Sequence, residues 1–446
     1  MEDLTFPVEY VGYKIQDQAI DMDKGTIVIH LRRRKCKSFL CFRCGCPLEQ
    51  HRGKHRLRLK EMSVMGFRVF VYLFREKGSC PHCKKARSES LEFISKETPH
   101  ATANYSFWLG RLCEISTVKQ AAWFTQEDKS TLWRADLERM ERMLRHYHIP
   151  PVTAIAVDEV YMGKLKEAGE NRNDRFFTVI TDLTTRKVIW IEPSRSKKAL
   201  DAFFELIGKK ACSKIKVIAT DQHDDYIKSA KEYCKKAQHV LDRFHVMKNF
   251  EEAINECRKL LRKMLPITNK SELFLDTAGK YRFNFLKRAS KRTAEEQKHI
   301  EKVCEENKMF LELEIIKERM ITFFDAKDAK EAELIFLEVR KWIYEAGFPP
   351  LKKWWNNLSR KWDSLKNYFT FRVTTALSEG INNVIKSLKR RSFGFRTIRY
   401  FGLKILQRNG FVNSMYINDD GTMTFKAKKL FGYKEAEYFQ DLSLKC

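Results

Sequence analysis

Three acidic residues stand where their type and setting could hold a hard divalent cation. Asp158 follows the apolar run Ala154-Ile155-Ala156-Val157, and Asp221 follows Val217-Ile218-Ala219-Thr220. Both runs have the length of buried strands, and the carboxyl ends of strands are where open α/β sheets gather their ligand-binding groups. Side by side, two such carboxylates suit magnesium or manganese, which take a few carboxylate oxygens and keep water and substrate phosphate as their other ligands. An Asp after a strand is also a common turn or cap residue, so either one alone carries little weight. Glu379 opens a helical pattern on which Asn382, Asn383, Lys386, Lys389 and Arg390 recur at offsets of three, four, seven, ten and eleven, along one face. Such a helix could bring one carboxylate to a metal pair and lay cations along a polyanion. The plainer alternative is a solvated helix with ordinary ion pairs. Asp242-Arg243-Phe244-His245 adds an Asp and a His three apart at the end of another strand, a pair that is more often a structural hydrogen bond than a catalytic dyad.

A second set of residues points to a softer metal. Cys41-x-x-Cys44 and Cys80-x-x-Cys83 are two knuckle-like pairs, in which a two-residue spacer turns both thiolates toward one ion. Between them Phe67, Val69, Val71 and Leu73 alternate with Arg68, Phe70, Tyr72 and Phe74, as in a strand. Two knuckles joined through strands describe a zinc ribbon with a structural ion. The gap exceeds that of a compact ribbon, so free buried thiols remain the alternative, and Cys36, Cys46 or His51 could replace a ligand. Arg32-Arg33-Arg34-Lys35 and the series Arg52, Lys54, Arg56, Arg58, Lys60 surround this module with cations that suit phosphate contact, although a charge run is usually only a solvated face.

The elements that must position these groups follow from composition and periodicity. With 446 residues, 43% of them hydrophobic, the chain has material for about three domains. Its 85 Lys and Arg against 58 Asp and Glu leave a charge of +27, which favours a polyanionic partner, nucleic acid first and an acidic membrane surface second. No apolar run reaches a membrane span and the N-terminus lacks a signal-peptide pattern, so a soluble, cytoplasmic protein is expected. The cysteines bunch in pairs, which in a reducing compartment points to metal rather than disulfides. Gly and Pro are too sparse for a long disordered linker, and there is no internal repeat.

The order of elements suggests an α/β protein. Residues 1–98 form the expected zinc-binding, DNA-binding module. In residues 99–150, Thr117-x-x-Gln120 is a capping box before one helix, and a polar break at Gln126-Glu127-Asp128 precedes a longer one, as in a helix-turn-helix or any helical hairpin. Pro150-Pro151 closes that region. Residues 151–245 then give three strands in a meander (154–157, 176–180, 188–191) and strand-helix-strand units, with helices at 197–207 and 226–234, predicting a mixed sheet with helices packed on it. Residues 246–371 read as helices broken at Pro266 and between Gly347 and Pro350. Trp342, Trp354, Trp355 and Trp362 there are expected in the core, though one could stack on an unpaired base. Residues 372–446 supply a final helix, 378–390, and the basic segment from Lys389 to Arg396.

Taken together, Asp158-Glu159, Thr220-Asp221, Leu241-Asp242-Arg243-Phe244-His245-Val246 and Glu379-Gly380-Ile381-Asn382-Asn383-x-Ile385-Lys386, running on through Lys389-Arg390-Arg391-x-Phe393-Gly394-Phe395-Arg396, resemble the ISL3 family of bacterial insertion-sequence transposases. The cysteine pairs and the helix-turn-helix resemble that family's zinc-binding and DNA-binding modules. The resemblance implies an RNase H-like catalytic domain whose metal-binding triad falls on Asp158, Asp221 and Glu379, with the long helical stretch inserted into it and Asp242 and His245 near the active site. Two magnesium or manganese ions would serve cleavage at the terminal inverted repeats and transfer of the 3′-hydroxyl into target DNA. Zinc would sit at Cys41, Cys44, Cys80 and Cys83. The DNA-binding cations would be Arg32, Arg33, Arg34, Arg56, Arg58, Lys386, Lys389, Arg390, Arg391 and Arg396, with double-stranded DNA as partner and a homodimer on it. The alternatives are an inactive, transposase-derived DNA-binding regulator and a nuclease that cuts without joining.

Overall fold

Apolar residues at every second position turn the first part of the chain into a sheet. The computed structural model describes residues 10–34, 38–95, 97–163, 171–221, 223–264, 282–372, 376–395 and 397–413. They fall into two units, one made of the described residues up to Tyr147 with 411–413, the other of 148–410.

In the first unit the strands are β1 (Tyr13–Asp21), β2 (Thr26–Arg33), β3 (Glu49–Val64), β4 (Phe67–Cys80) and β5 (Lys85–Ser88). Their order is β1-β2-β4-β3, with β5 also on β4. β2 and β4 run parallel and the other pairs antiparallel. Met65 and Gly66, both at positive φ (49° and 85°), make the tight turn between β3 and β4. One face buries Ile27, Ile29, Leu31, Leu59, Val69, Val71 and Leu73 against Tyr10, Tyr13 and Phe93, so the predicted alternation in β4 has its apolar side inward. Three helices follow: α1 (Ala103–Ile115), α2 (Val118–Thr125) and α3 (Lys129–Arg145). The capping box at Thr117 and Gln120 forms. Gln126, in the left-handed region at φ 55°, turns the chain between α2 and α3, and Leu109, Ala121, Leu132 and Ala135 pack between the three helices.

The second unit opens with the meander β6 (Ala154–Tyr161), β7 (Phe176–Asp182) and β8 (Lys187–Pro193), then α4 (Lys197–Cys212), β9 (Val217–Thr220), α5 (Asp224–Tyr233) and β10 (Gln238–Leu241). The sheet order is β10-β9-β6-β7-β8. β6, β7 and β8 are antiparallel, while β9 and β10 lie parallel to β6. Two expectations need correction. The first strand does not end before Asp158: β6 stays paired with β7 as far as Tyr161 opposite Phe176, which puts Asp158 inside the strand. The helix expected to stop at 207 continues to Cys212, through a break at Gly208 where φ is 77°.

From β10 the chain enters α6 (Arg243–Met264), α7 (Arg282–Leu286), α8 (Ala294–Glu306), α9 (Lys308–Phe323), α10 (Ala329–Ala346), α11 (Pro349–Ser359) and α12 (Trp362–Phe371). Gly347 (φ 75°) caps α10 and the two prolines start α11, as their positions predict; Pro266 lies outside the described residues. Trp354 and Trp355 are buried with Phe250, Phe310 and Phe336, and Trp342 and Trp362 pack on the same cluster. That cluster is continuous with Val240 and Leu241 of β10, and Asn367 of α12 donates to the His239 carbonyl at 2.9 Å. The helices thus anchor on the β10 edge. The chain then returns through α13 (Ala376–Arg391) and α14 (Ile398–Asn409), with Phe401 of α14 packed on Phe177 of β7, ring centres 5.5 Å apart.

Candidate functional site

Strand register alone brings the acidic residues together. Val157 of β6 pairs with Thr220 of β9, and Thr220 with Leu241 of β10. The residues that follow these three are Asp158, Asp221 and Asp242, so three neighbouring parallel strands each present an aspartate at one level of the sheet. The chain leaves the ladder after Thr220 and Leu241 but not after Val157. Asp158 is enclosed at 7% exposure and Asp242 at 2%, whereas Asp221 is half-buried.

Each carboxylate has defined partners. Asp158 accepts from the Glu159 amide at 2.8 Å and from Asn382 Nδ2 at 2.7 Å. Asp221 accepts from the His223 amide at 2.9 Å. Asp242 accepts from the Phe244 amide at 3.0 Å and meets His245 Nδ1 at 2.5 Å. Burial raises the Asp158 carboxyl to about 6, with Asp221's charge adding to it, against the lowering effects of His245, the Glu159 amide and Asn382. Burial works against a charged His245, yet the bond to Asp242 and the charges of Asp242, Asp158 and Asp221 raise it to about 9. The sequence pattern gave no sign of a further pair in which Arg195 Nη1 holds Glu159 Oε1 at 3.1 Å while stacking over Phe176 at 4.2 Å.

The helix α13 lies along β6. Its Asn382 reaches Asp158, and Lys389, two turns on, sits over the Tyr161 ring at 5.2 Å. Gly163, with φ 93°, leaves room for that lysine, since a Cβ there would meet its Nζ at 2.8 Å. Glu379 is in the first turn of α13, one turn before Asn382, and exposed. Among the described residues, the groups of three or more His, Cys, Asp or Glu with ligand atoms all within 4.8 Å are built on cysteines, so the three carboxylates do not close to that spacing. It is Asn382 that makes the contact with Asp158, a contact its offset of three from Glu379 could have suggested. A hard divalent cation fits this donor set. Burial holds the Asp158 carboxyl up although His245 and two hydrogen bonds offset part of its charge, and Asn382 Oδ1 and Glu159 Oε2 are buried oxygens with no hydrogen-bond partner.

In the first unit the ligand atoms of Cys41, Cys44, Cys80 and Cys83 lie within 4.8 Å of one another. The Cys44 and Cys80 sulfurs are 3.4 Å apart and those of Cys44 and Cys83 3.7 Å. Burial opposes ionisation of Cys41, but the amides of Cys44 and Arg43 point at its sulfur and bring it down to about 7, as a thiolate ligand requires. Cys44, Cys46 and His82 form a second group that shares Cys44. His51 is turned to Glu76 instead, at 2.5 Å, and Cys36 lies outside the described residues.

The expected DNA-binding cations divide. Arg32, Arg34, Arg56, Arg58, Lys386, Arg390 and Arg391 are exposed, and Lys389 is half-buried on Tyr161. Arg33 is turned inward, bonded to Glu89 and to the Tyr13 hydroxyl and lying over the Tyr13 and Phe39 rings, which removes it from the set free to meet a phosphate. Arg396 lies outside the described residues.

Aspartates aligned on one sheet, beside a helix that ends in Lys389, Arg390 and Arg391, outline an α/β enzyme that works on a polyanion. The family model for ISL3-type DDE transposases, described as "Transposase", matches residues 155–405, and the chain belongs to that family. It is 24% identical over 396 residues to the transposase for insertion sequence element IS1001 of Bordetella parapertussis, across 88% of this chain and 94% of that one. It is also 22% identical over 269 residues to the transposase for insertion sequence element IS1557 in two strains of Mycobacterium tuberculosis, across 58% of this chain and 54% of theirs. Among the described residues no helix is long and apolar enough to cross a membrane.

Proposed function

We propose that this transposase cuts DNA at the terminal inverted repeats of an insertion sequence and transfers the freed 3′-hydroxyl into target DNA. The meander followed by two parallel strands supports an RNase H-like catalytic core, with the helices from α6 to α12 as an insertion. The observation that carries the reading is the register of β6 and β9, which sets Asp158 and Asp221 at one level on adjacent strands, with α13 tied to Asp158 through Asn382. Asp158, Asp221 and Glu379 would hold the ions. When bound, two magnesium or manganese ions would supply Lewis-acid activation of the attacking water or 3′-hydroxyl and neutralisation of the leaving oxygen.

The chain's own residues do the rest. Asp242 keeps His245 protonated beside the aspartate row, where the cation can hold a phosphate. The Asn382 amide fixes the Asp158 carboxylate and thereby the approach of α13. Lys386, Arg390 and Arg391 line the backbone of the bound strand, and Lys389 is held by Tyr161. In the first unit α2 and α3 would form a helix-turn-helix with exposed Lys129, Ser130 and Arg134 at the start of α3. The four cysteines would hold a structural zinc in a ribbon-like module, since four protein ligands leave no open position for water. Two ends must be handled at once, which favours a homodimer on DNA, acting in the cytoplasm.

The test is end cleavage and strand transfer on a DNA carrying the terminal repeats, with Asp158, Asp221 and Glu379 changed singly to Ala. Loss of both products with DNA binding retained is expected; unchanged cleavage in any one variant removes that residue from the triad. A regulator would bind the repeats and never nick them, and a simple nuclease would nick without joining.

A further inference from the structure

The outer face of the first unit's sheet carries two parallel rows. On β3, Lys54, Arg56 and Arg58 point outward at every second residue; on the neighbouring β4, Phe70, Tyr72 and Phe74 do the same. In register Arg56 faces Phe74 and Arg58 faces Tyr72, but each cation leans diagonally over a ring. Lys54 lies over Phe74 at 4.9 Å, Arg56 over Tyr72 at 4.6 Å and Arg58 over Phe70 at 5.0 Å. His30 of β2 packs on the other side of Tyr72, ring centres 5.5 Å apart, and Arg32 and Arg68 are further exposed cations on this face. Phe74 is 51% exposed.

We propose that this face binds single-stranded DNA, with bases stacked on Phe70, Tyr72 and Phe74 and phosphates held by Lys54, Arg56 and Arg58. The inference rests on DNA being the partner and goes beyond the recognition of duplex ends. Its first support is charge complementarity: the cation row fits a polyanion. Its second is the rings. A surface made only to meet duplex phosphates has no use for a row of outward-facing, partly exposed aromatics. Duplex bases hide their faces in the stack, and a major groove about 12 Å wide admits a helix or a two-stranded ribbon but not a broad sheet. An unpaired strand offers base faces and phosphates together, side by side. The two rows match that, lying roughly 5 Å apart with a repeat of roughly 7 Å along each strand. When a base arrives, a cation leaves the ring face for the neighbouring phosphate and the base takes its place, so the pairs keep the rings covered and the cations upright until then.

The experiment is fluorescence anisotropy on the full chain with a labelled twenty-nucleotide oligothymidine and with a duplex of the terminal repeat. Tyr72→Ala with Phe74→Ala is expected to weaken oligothymidine binding by roughly tenfold or more per ring while changing duplex affinity by less than about threefold. Arg56→Gln with Arg58→Gln is expected to weaken both and to lower the salt slope by about two. Zinc content reports folding of the module; should the alanine variant lose zinc, Tyr72→Leu with Phe74→Leu keeps apolar bulk without an aromatic face and decides the matter. Wild-type oligothymidine affinity in the ring variants, equal loss on both DNAs with zinc retained, or no oligothymidine binding by the wild type would each overturn the proposal. Repeat cleavage measured on the same samples separates the two readings: intact cleavage without a ring effect sinks only this one, and ring-dependent binding without cleavage sinks only the other.

Discussion

Replacing Asp158 by Asn should make the protein more stable and inactive together. In a buffer without added divalent ions the buried carboxylate is held at about 6 against an ordinary 3.8. Because the folded value is the higher one, the folded state binds the proton more tightly. The group therefore costs nothing below about pH 4, and its cost grows as pH climbs through 6. The difference between about 6 and 3.8, at about 1.4 kcal/mol per pH unit, puts that cost at roughly 3 kcal/mol at pH 7. An Asn at 158 carries no charge to desolvate and is nearly the same size. Its oxygen still accepts from the Glu159 amide, and its NH2 finds the Asn382 Oδ1 that now lacks a partner once that amide turns over. Urea unfolding should show the variant ahead of the wild type by as much as roughly 3 kcal/mol at pH 7.5 and by almost nothing at pH 4. Cleavage should disappear. A variant less stable than the wild type at pH 7.5, or a gain independent of pH, would refute the account of Asp158 as a buried charge only partly offset by its partners.

Glu379→Gln should behave differently from Asp158→Asn because Glu379 is exposed: stability within about 0.5 kcal/mol of wild type by urea unfolding, with cleavage reduced on the order of a hundredfold or more. Asp242→Asn should bring the His245 titration, followed by NMR, down from about 9 toward 6.5; the stability the pair gives is full below about pH 6.5 and lost as pH rises through 9, so an unmoved titration would count against it. Cys41→Ser and Cys83→Ser should each abolish zinc binding by elemental analysis, whereas His51→Ala should keep it, since that imidazole is turned to Glu76. Cys46→Ser should also retain one zinc per chain; a loss equal to that of Cys41→Ser would move the ion to the group shared with His82.

How much was legible in the sequence depends on what each residue relies on. Strand 217–220 and the meander could be read because their apolar runs are wholly or mostly buried and bounded by turns. The end of β6 could not. Asp158 looks like a terminator, yet the ladder to β7 carries Glu159, Val160 and Tyr161 along in the strand, a tertiary effect that local pattern does not encode. The inward turn of Arg33 was hidden for a related reason, since Arg32, Arg33 and Arg34 look alike until strand alternation sends the middle one to Glu89. The four cysteines announced themselves by spacing; His82 was overlooked although it sits inside the Cys80-x-x-Cys83 knuckle, which carries it next to Cys44 and Cys46 once the two knuckles meet. Asn382 was visible only as one member of a helix face, and its bond to Asp158 spans 224 positions.

That long-range bond also explains why the first two carboxylates and the third differ in kind. Asp158 and Asp221 are fixed by the ladder between adjacent strands, so their spacing is set once the sheet forms. Glu379 arrives on a helix reached only after the whole helical region from Arg243 to Phe371, and the described tie between that helix and the row is a neutral amide one turn further on. An amide suits that place better than a second carboxylate. Asp158 is already raised by Asp221 and by burial, and another negative group at 2.7 Å would repel it. Asn382 donates with one atom and keeps an unpartnered oxygen with the other, so it can dock the helix without adding charge. Glu379, one turn earlier on the same helix, stays exposed while Asp158 is buried.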